Sequence, residues 1–438
     1  MEQQKAKQNF MNRHENWMKW FIFLTFTALI FTFGLKGGMK KELFVKDPLF
    51  LKLSVIYGIF VFINLPYRAL LFFLYKNPDT GNDFEPSVSV VIPAYNEGQT
   101  VQLAVESVAR SDYPADKLEI FCVNDGSSDD TLYWMRKSVA KFKECNIQII
   151  NFEKNKGKRQ AIYEAYSRAR GEVLITVDSD TQIEPAAIRN LVAPLKDDKV
   201  GAATGKVAAY NKNNNFMTRM LGVRYTMAFD FYRSSRSTFK TVFVCSGVLS
   251  AYRMTVLRKV MDDWVNQKFL GETCTYGDDR SLTNFVIRSG YYTIYVRNAV
   301  AKTIVPEKLG KLIKMILRWN KSFIRESLIF AGFMFKPYRA GNRFLPAFDF
   351  IISIMMSLMQ LVIFGASIVL LINHTGLILD FLAAIALMGF FYMLFYIKLE
   401  KSSDYVYGVV YAFLFVFVLI WTLPYAAVTL RNQSWLTR

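Results

Sequence analysis

The sequence predicts an α/β domain inserted between membrane-embedded helices, and three observations carry that expectation. Apolar segments of about 20 residues, the length that crosses a bilayer, stand at both ends of the 438-residue chain and are missing from its middle. The middle instead alternates short apolar runs with helical stretches, as parallel strands buried on both faces require. Acidic clusters follow two of those runs, at the carboxyl ends of strands where open α/β sheets bind ligands. The composition agrees with a chain living partly in lipid, with 52% hydrophobic and 16% aromatic residues.

From the N-terminus, residues 17–35 (WMKWFIFLTFTALIFTFGL) predict a first span. Its apolar core is too long for a signal peptide, and no small-residue cleavage site precedes the lysines that follow. A second segment, 48–75, is interrupted by Pro66 and Arg68, which predicts a kink or a snorkelling end. In the polar stretch, Val88–Pro93, Glu119–Val123, Ile147–Ile150 and Val173–Val177 read as strands, with helices at Thr100–Arg110 and Thr131–Phe142 between them. Residues 308–335, and more weakly 216–239, combine Lys and Arg with an apolar face. That is the pattern of a helix in the headgroup layer, the alternative being an amphipathic helix packed on the domain.

Apolar segments recur at 347–372, 377–397 and 405–430. The charged connector 398–404 (KLEKSSD) and the basic N-terminal tail place their side in the cytosol by the positive-inside rule. The expectation is a multi-pass protein of the cell membrane with its polar domain cytosolic. Its parts run 1–75 (tail and two spans), 76–307 (α/β domain), 308–343 (amphipathic helices) and 344–438 (C-terminal membrane region and tail).

Charge and chemistry narrow the function. Lys and Arg number 54 against 36 Asp and Glu, a net charge of +18. Anionic membrane lipids and a phosphorylated substrate account for this excess, because no nucleic-acid-reading motif occurs and the basic residues cluster beside the apolar segments. The two histidines, His14 and His374, lie outside the polar domain, so a Ser-His-Asp hydrolase or a histidine-built metal site there is excluded. The four cysteines form no CxxC pair, which argues for reduced cytosolic thiols.

Three acidic clusters carry the expected chemistry: Asn124-Asp125-Gly126-Ser127-Ser128-Asp129, Asp178-Ser179-Asp180, and Gly277-Asp278-Asp279-Arg280, which opens a later helix. One acidic residue at a strand end is ordinarily a helix cap. Three in one α/β domain point further. A D-x-D pair can grip a divalent cation through hard oxygen ligands, and the cation neutralises a diphosphate leaving group.

The run Val91-Ile92-Pro93-Ala94-Tyr95-Asn96-Glu97, the Asn124–Asp129 run, Asp178-Ser179-Asp180 and Arg318-Trp319, in this order, resemble the inverting family-2 glycosyltransferases of the GT-A fold. Asn155-Lys156-Gly157-Lys158-Arg159, Val244-Cys245-Ser246-Gly247, Gly277–Asn284, Arg318–Ser327 and the closing Trp435-Leu436-Thr437-Arg438 resemble the class I hyaluronan synthases. Three positions depart from that pattern: Met315 stands for Gln, Val248 for Pro and Leu436 for Gly.

The resemblance implies a processive enzyme that polymerises UDP-sugars into an extracellular polysaccharide and extrudes it. Hyaluronan from UDP-GlcNAc and UDP-glucuronate is the leading product. Another capsule, chitin-like or cellulose-like glycan, a lipid-phosphate glycosyltransferase, or a transporter with a degenerate nucleotide site are the alternatives. By the same resemblance Asp125 would hold the uridine, while Lys158, Arg318, Thr437 and Arg438 would contact the rest of the UDP-sugar. Asp178 and Asp180 would hold Mg2+ or Mn2+. Asp279 would be the general base, and Cys245, Trp319 and Asp278 would meet the acceptor, the alternatives being a buried structural thiol for Cys245 and a membrane-interface residue for Trp319. A tail that closes the nucleotide site must be cytosolic, so 405–430, with Gly408 and Pro424, is expected to enter the membrane and return or to lie partly in the interface, the alternative being a plain fifth span.

Overall fold

The computed structural model describes residues 48–79 and 84–432, with 17, 19–25 and 27–28 of the N-terminal segment. Residues 18, 26 and 29–35 of the first expected span, and Trp435, Thr437 and Arg438, lie outside the described residues. The chain divides into two compact units, one formed by 1–67, 219–227 and 350–420, the other by 68–218, 228–349 and 421–438.

Helix α1 (Pro48–Leu74) runs through Pro66 and ends in the second unit. That unit is built on one eight-stranded sheet. Its strands are β1 (Val88–Ala94), β2 (Leu118–Asn124), β3 (Asn146–Asn151), β4 (Val173–Val177), β5 (Thr181–Ile183), β6 (Val200–Ala209), β7 (Leu249–Arg253) and β8 (Tyr292–Thr303). They lie in the order β3-β2-β1-β4-β7-β6-β8-β5. β1 pairs in parallel with β2 and β4, and β2 with β3. β7 is antiparallel to both β4 and β6, and β5 is antiparallel to β8.

The four strands expected from apolar runs are those of the parallel half, each within one residue of its expected bounds. β1 is buried at all seven positions. Val90 and Ile92 face a core with Val101, Val105 and Ile120, whereas Val91 faces one with Phe121, Leu174 and Trp264. Two buried faces explain why this strand reads as a continuous apolar run rather than an alternation. The helices that bear on function are α2 (Val101–Ala109), α3 (Thr131–Lys141), α4 (Lys158–Arg168), α5 (Met254–Val265), α6 (Asp278–Arg288) and α7 (Leu309–Ala331).

One expectation is corrected in this unit and another narrowed. Arg68 does not snorkel: it is buried and its guanidinium meets Asp349 at 2.5 Å, with Arg236 on the other Asp349 oxygen at 3.0 Å. A carboxylate was available inside the protein, and a paired charge is far cheaper to bury than a lone one. The apolar stripe of 308–335 is also not free along its whole length: on α7, Leu312, Met315, Ile316, Leu317 and Phe330 are buried, whereas Leu328 and, past the helix, Phe335 stay exposed.

In the other unit, α8 (Phe344–Asn373) contributes its part from residue 350, followed by α9 (Ile378–Glu400) and α10 (Tyr405–Leu414). Among the described residues three helices are long and apolar enough to cross a membrane: Val55–Leu74, Phe344–Asn373 and Ile378–Glu400. The segment 405–430 is broken. Tyr405–Leu419 ends in a π-helical turn at Phe415–Leu419, and α11 (Thr422–Val428) follows after a break. The break falls at residues 420–421, between Gly408 and Pro424. α11 belongs to the sheet unit, where it packs on α7.

Candidate active site

The loop after β2 begins the site. Asp125 leaves the strand with its backbone N–H donating to the Ala94 carbonyl at 2.9 Å. Its buried carboxylate accepts the backbone N–H groups of Lys156 (2.7 Å) and Gly157 (2.9 Å) and the Asn155 side-chain amide (3.0 Å). Burial raises its pKa, and those N–H donors only partly offset the rise. Asp125 thereby fixes the loop that delivers Lys158 to the first turn of α4. Gly126 makes this approach possible. It sits at φ +66°, and a Cβ there would lie 2.3 Å from the Lys154 carbonyl carbon.

Lys158 forms an ion pair with Asp178, at the carboxyl end of β4. Burial pulls the Lys158 ammonium down, but Asp178, with the charges of Asp278 and Asp279, more than offsets it and the net shift is upward. Gly247 lies over this pair: a Cβ on it would stand 3.1 Å from Lys158 Nζ and 3.4 Å from Asp178 Oδ1. Asp180, beyond Asp178, accepts from Thr303 Oγ1 at 3.0 Å. Burial and the neighbouring Asp178 charge push its carboxyl up to about 6. A buried carboxyl whose proton affinity is raised by a neighbouring carboxylate suits a cation shared with that neighbour.

Asp279 stands at the second position of α6, after Gly277 at φ +70°. Its Oδ1 accepts the Arg280 N–H at 2.8 Å, and its carbonyl accepts Thr283 Oγ1 at 2.6 Å. Thr283 Oγ1 also accepts the Cys245 N–H at 2.9 Å, which ties the Val244–Gly247 turn to this helix. Arg233 and Arg280 both interact with Asp279. Burial lowers each guanidinium to about 10, against the pull of that carboxylate.

Arg318 and Trp319 are half-buried on α7. One turn on, Ser322 fills the space where a Gly277 side chain would sit. Lys321 Nζ donates to the Asn432 carbonyl at 2.9 Å, and Tyr276 Oη to the Leu430 carbonyl at 3.2 Å. The last described residues thus lie beside the start of α6.

A glycosyl transferase family 2 model matches residues 89–261. A hyaluronan synthase of Streptococcus pyogenes serotype M3 is 34% identical over 392 residues, covering 87% of this chain and 90% of its own length. The chain belongs to the hyaluronan synthase family of family-2 glycosyltransferases. An N-acetylglucosaminyltransferase of Mesorhizobium japonicum is 36% identical over 255 residues, covering 58% of this chain and 59% of that protein. Among solved structures, a mannosyltransferase from Pyrobaculum calidifontis in complex with GDP-Man and Mn2+ shares the GT-A fold. Its TM-score is 0.57 at 18% identity, over 83% of this chain and 96% of that one.

This hyaluronan synthase-family protein is therefore a membrane-associated glycosyltransferase, and its structure sorts the residues named from sequence. Lys158, Asp178 and Asp180 come together, with Asp279 in electrostatic reach of Lys158. Cys245 is fully buried, and burial raises its thiol to about 12. Asp278 is likewise buried, and its Oδ1 is held by Arg159 at 3.2 Å. Thr437 and Arg438 lie outside the described residues.

Sequence reasoning placed Arg159, Gly247 and Thr283 within motifs but gave none of them a role. The doublet Lys158-Arg159 was the available signal, since adjacent positions on a helix point in different directions and serve different neighbours.

Proposed function

We propose that this enzyme is a processive inverting synthase that builds hyaluronan from UDP-GlcNAc and UDP-glucuronate at the cytosolic face and passes the polymer across the membrane. The observation that carries the reading is the joining of Lys158, Asp178 and Asp180 at one end of the sheet, with Asp279 within reach of the same charges. The likeness to hyaluronan synthases over 87% of the chain supports the choice of polymer.

In this reading Asp125 holds the uridine side of the donor and braces the loop before Lys158. Lys158 leaves Asp178 to meet the diphosphate, and Arg318, Thr437 and Arg438 complete that contact. Asp178 and Asp180 would hold Mg2+ or Mn2+. Among the described residues no set of three or more His, Cys, Asp or Glu is arranged for a metal. Two carboxylates nevertheless fit an ion that takes its other ligands from substrate phosphate and water. When bound, such an ion supplies positive charge to the diphosphate.

Asp279 accepts the proton of the acceptor hydroxyl. The hydroxyl oxygen forms the new bond to the anomeric carbon from the face opposite UDP, and the bond to UDP breaks with its electron pair leaving on the diphosphate. Trp319 offers an aromatic face to the acceptor sugar. The anchoring of residues 430 and 432 on Tyr276 and Lys321 supports a tail on the catalytic side, and the break at 420–421 supports a final segment that does not cross as one plain span.

Synthesis in purified membranes with each UDP-sugar alone and with both tests the reading. Both should be required, and excess EDTA should stop turnover. Polymer from one sugar alone would move the assignment to another glycan.

A further inference from the structure

Lys158-Arg159 and Asp278-Asp279 are two dipeptides at the starts of two helices, α4 and α6. In each, one residue belongs to the chemistry proposed above and the other is buried. Arg159 Nε meets Asp278 Oδ1 at 3.2 Å. Its Nη1 donates to the Trp264 carbonyl at 2.6 Å and to Gln267 Oε1 at 3.0 Å, and its guanidinium stacks 4.8 Å from the Trp264 ring centroid. Trp264 Nε1 returns a bond to the Asp278 carbonyl at 3.3 Å.

The contacts continue outward. Gln267 Oε1 accepts from Ser281 Oγ on α6 at 2.6 Å. Glu326 on α7 accepts from Asn284 of α6 at 2.9 Å and from Arg325 at 2.7 Å, and Arg325 Nη2 donates to the Tyr276 carbonyl at 2.6 Å. The helix with the diphosphate cation, the helix with the base and the helix with Arg318-Trp319 are thus clamped through one buried polar core.

We propose that Arg159 is a positioning residue which, through Asp278, fixes the base Asp279 relative to the leaving-group cation Lys158. The assignment rests on the reading of Asp279 and Lys158 given above. An inverting displacement needs the base and the departing diphosphate on opposite sides of one carbon, and small errors in such an arrangement cost rate steeply. A buried ion pair adds little net stability over apolar residues of the same volume. Arg159 Nη2 is also buried without a hydrogen-bond partner, so the pair is a poor device for stability alone. What it does supply is a forked, planar contact whose geometry is fixed by three acceptors.

The test uses the full chain in lipid nanodiscs with Arg159→Gln, Arg159→Lys, Asp278→Asn and the double variant Arg159→Gln/Asp278→Asn. Arg159→Gln and Asp278→Asn should each lower kcat about 10–100-fold while donor KM and UDP affinity stay within about threefold of wild type. Arg159→Lys, which keeps the charge but not the fork, should fall between. The double variant leaves no unpaired buried ion, so it should recover the thermal midpoint lost in the single variants and still keep the low kcat. Recovery of kcat together with the midpoint would overturn the proposal, because the pair would then serve stability only. So would an unchanged kcat in folded Arg159→Gln. Asp279→Asn, run alongside, separates the two ideas. If it is inactive while Arg159→Gln is normal, only the positioning role fails; if it is active, the reading of the site fails.

Discussion

Replacing Gly277 by alanine should loosen the joint between the base-bearing helix and the Arg-Trp helix. Gly277 sits at φ +70°, where an L side chain is strained by about 1–2 kcal/mol. The new Cβ would also stand 2.1 Å from Ser322 Oγ and 2.6 Å from Ser322 Cβ. Ser322 is buried on a packed helix and cannot swing away freely, and overpacking of this kind costs about 1–3 kcal/mol. Together the two effects amount to about 2–5 kcal/mol, which lowers the thermal midpoint by roughly 5–15 °C for a unit of this size. Thermal unfolding in detergent, followed with polymer synthesis, measures both consequences. Ser322→Gly removes both clashing atoms, so against that background the same substitution should cost only the backbone strain, about 1–2 kcal/mol. An alanine at 277 with wild-type midpoint and rate, or with equal cost in both backgrounds, would refute the reasoning.

Asp279→Asn should reduce synthesis by about 10²–10⁴-fold and leave UDP binding by calorimetry nearly intact; more than half the wild-type rate would reject the base. Asp349→Ala removes the carboxylate that pairs the buried Arg68 and the half-buried Arg236, a loss of about 3–5 kcal/mol to be read as a sharp fall in folded yield on size-exclusion chromatography. For the thiols, burial pushes Cys122 and Cys245 up to about 12. The reactive thiolate therefore stays scarce until pH rises far above 8, and N-ethylmaleimide at pH 8 should mark Cys145 well before either. Rapid native labelling of Cys245, read by peptide mass spectrometry, would contradict its place in the core.

How much of this was legible in the sequence depends on what each element buries. β1 to β4 announced themselves because both faces of a parallel strand are apolar. β6 (VGAATGKVAA) is built from small residues that fit beside close neighbours. At Gly205, for example, a Cβ would meet the Ala299 carbonyl at 2.4 Å, so no hydrophobic run marks the strand. β8 (YTIYVRNAVAKT) has its apolar residues in two short groups divided by Arg297-Asn298, so no single longer run marks it as one strand. In the site, Asp125, Asp178, Asp180 and Asp279 were readable as carboxylates at strand and helix ends. That Asp278 and Cys245 are buried was not legible, because spacing cannot say which of two adjacent residues turns inward. The partner of Asp278, Arg159, is 119 positions away in the chain, a distance that no local pattern spans. Arg68 was misread for the same reason, since its carboxylate lies on a helix far along the chain.

The central claim is that this site joins two different UDP-sugars into one acidic polymer. Purified full-length protein in nanodiscs, supplied with radiolabelled UDP-GlcNAc and UDP-glucuronate separately and together, tests it most directly. The expected result is high-molecular-mass product only when both donors are present, degraded completely by hyaluronidase. Product from either donor alone, or a polymer that resists hyaluronidase, would contradict the claim.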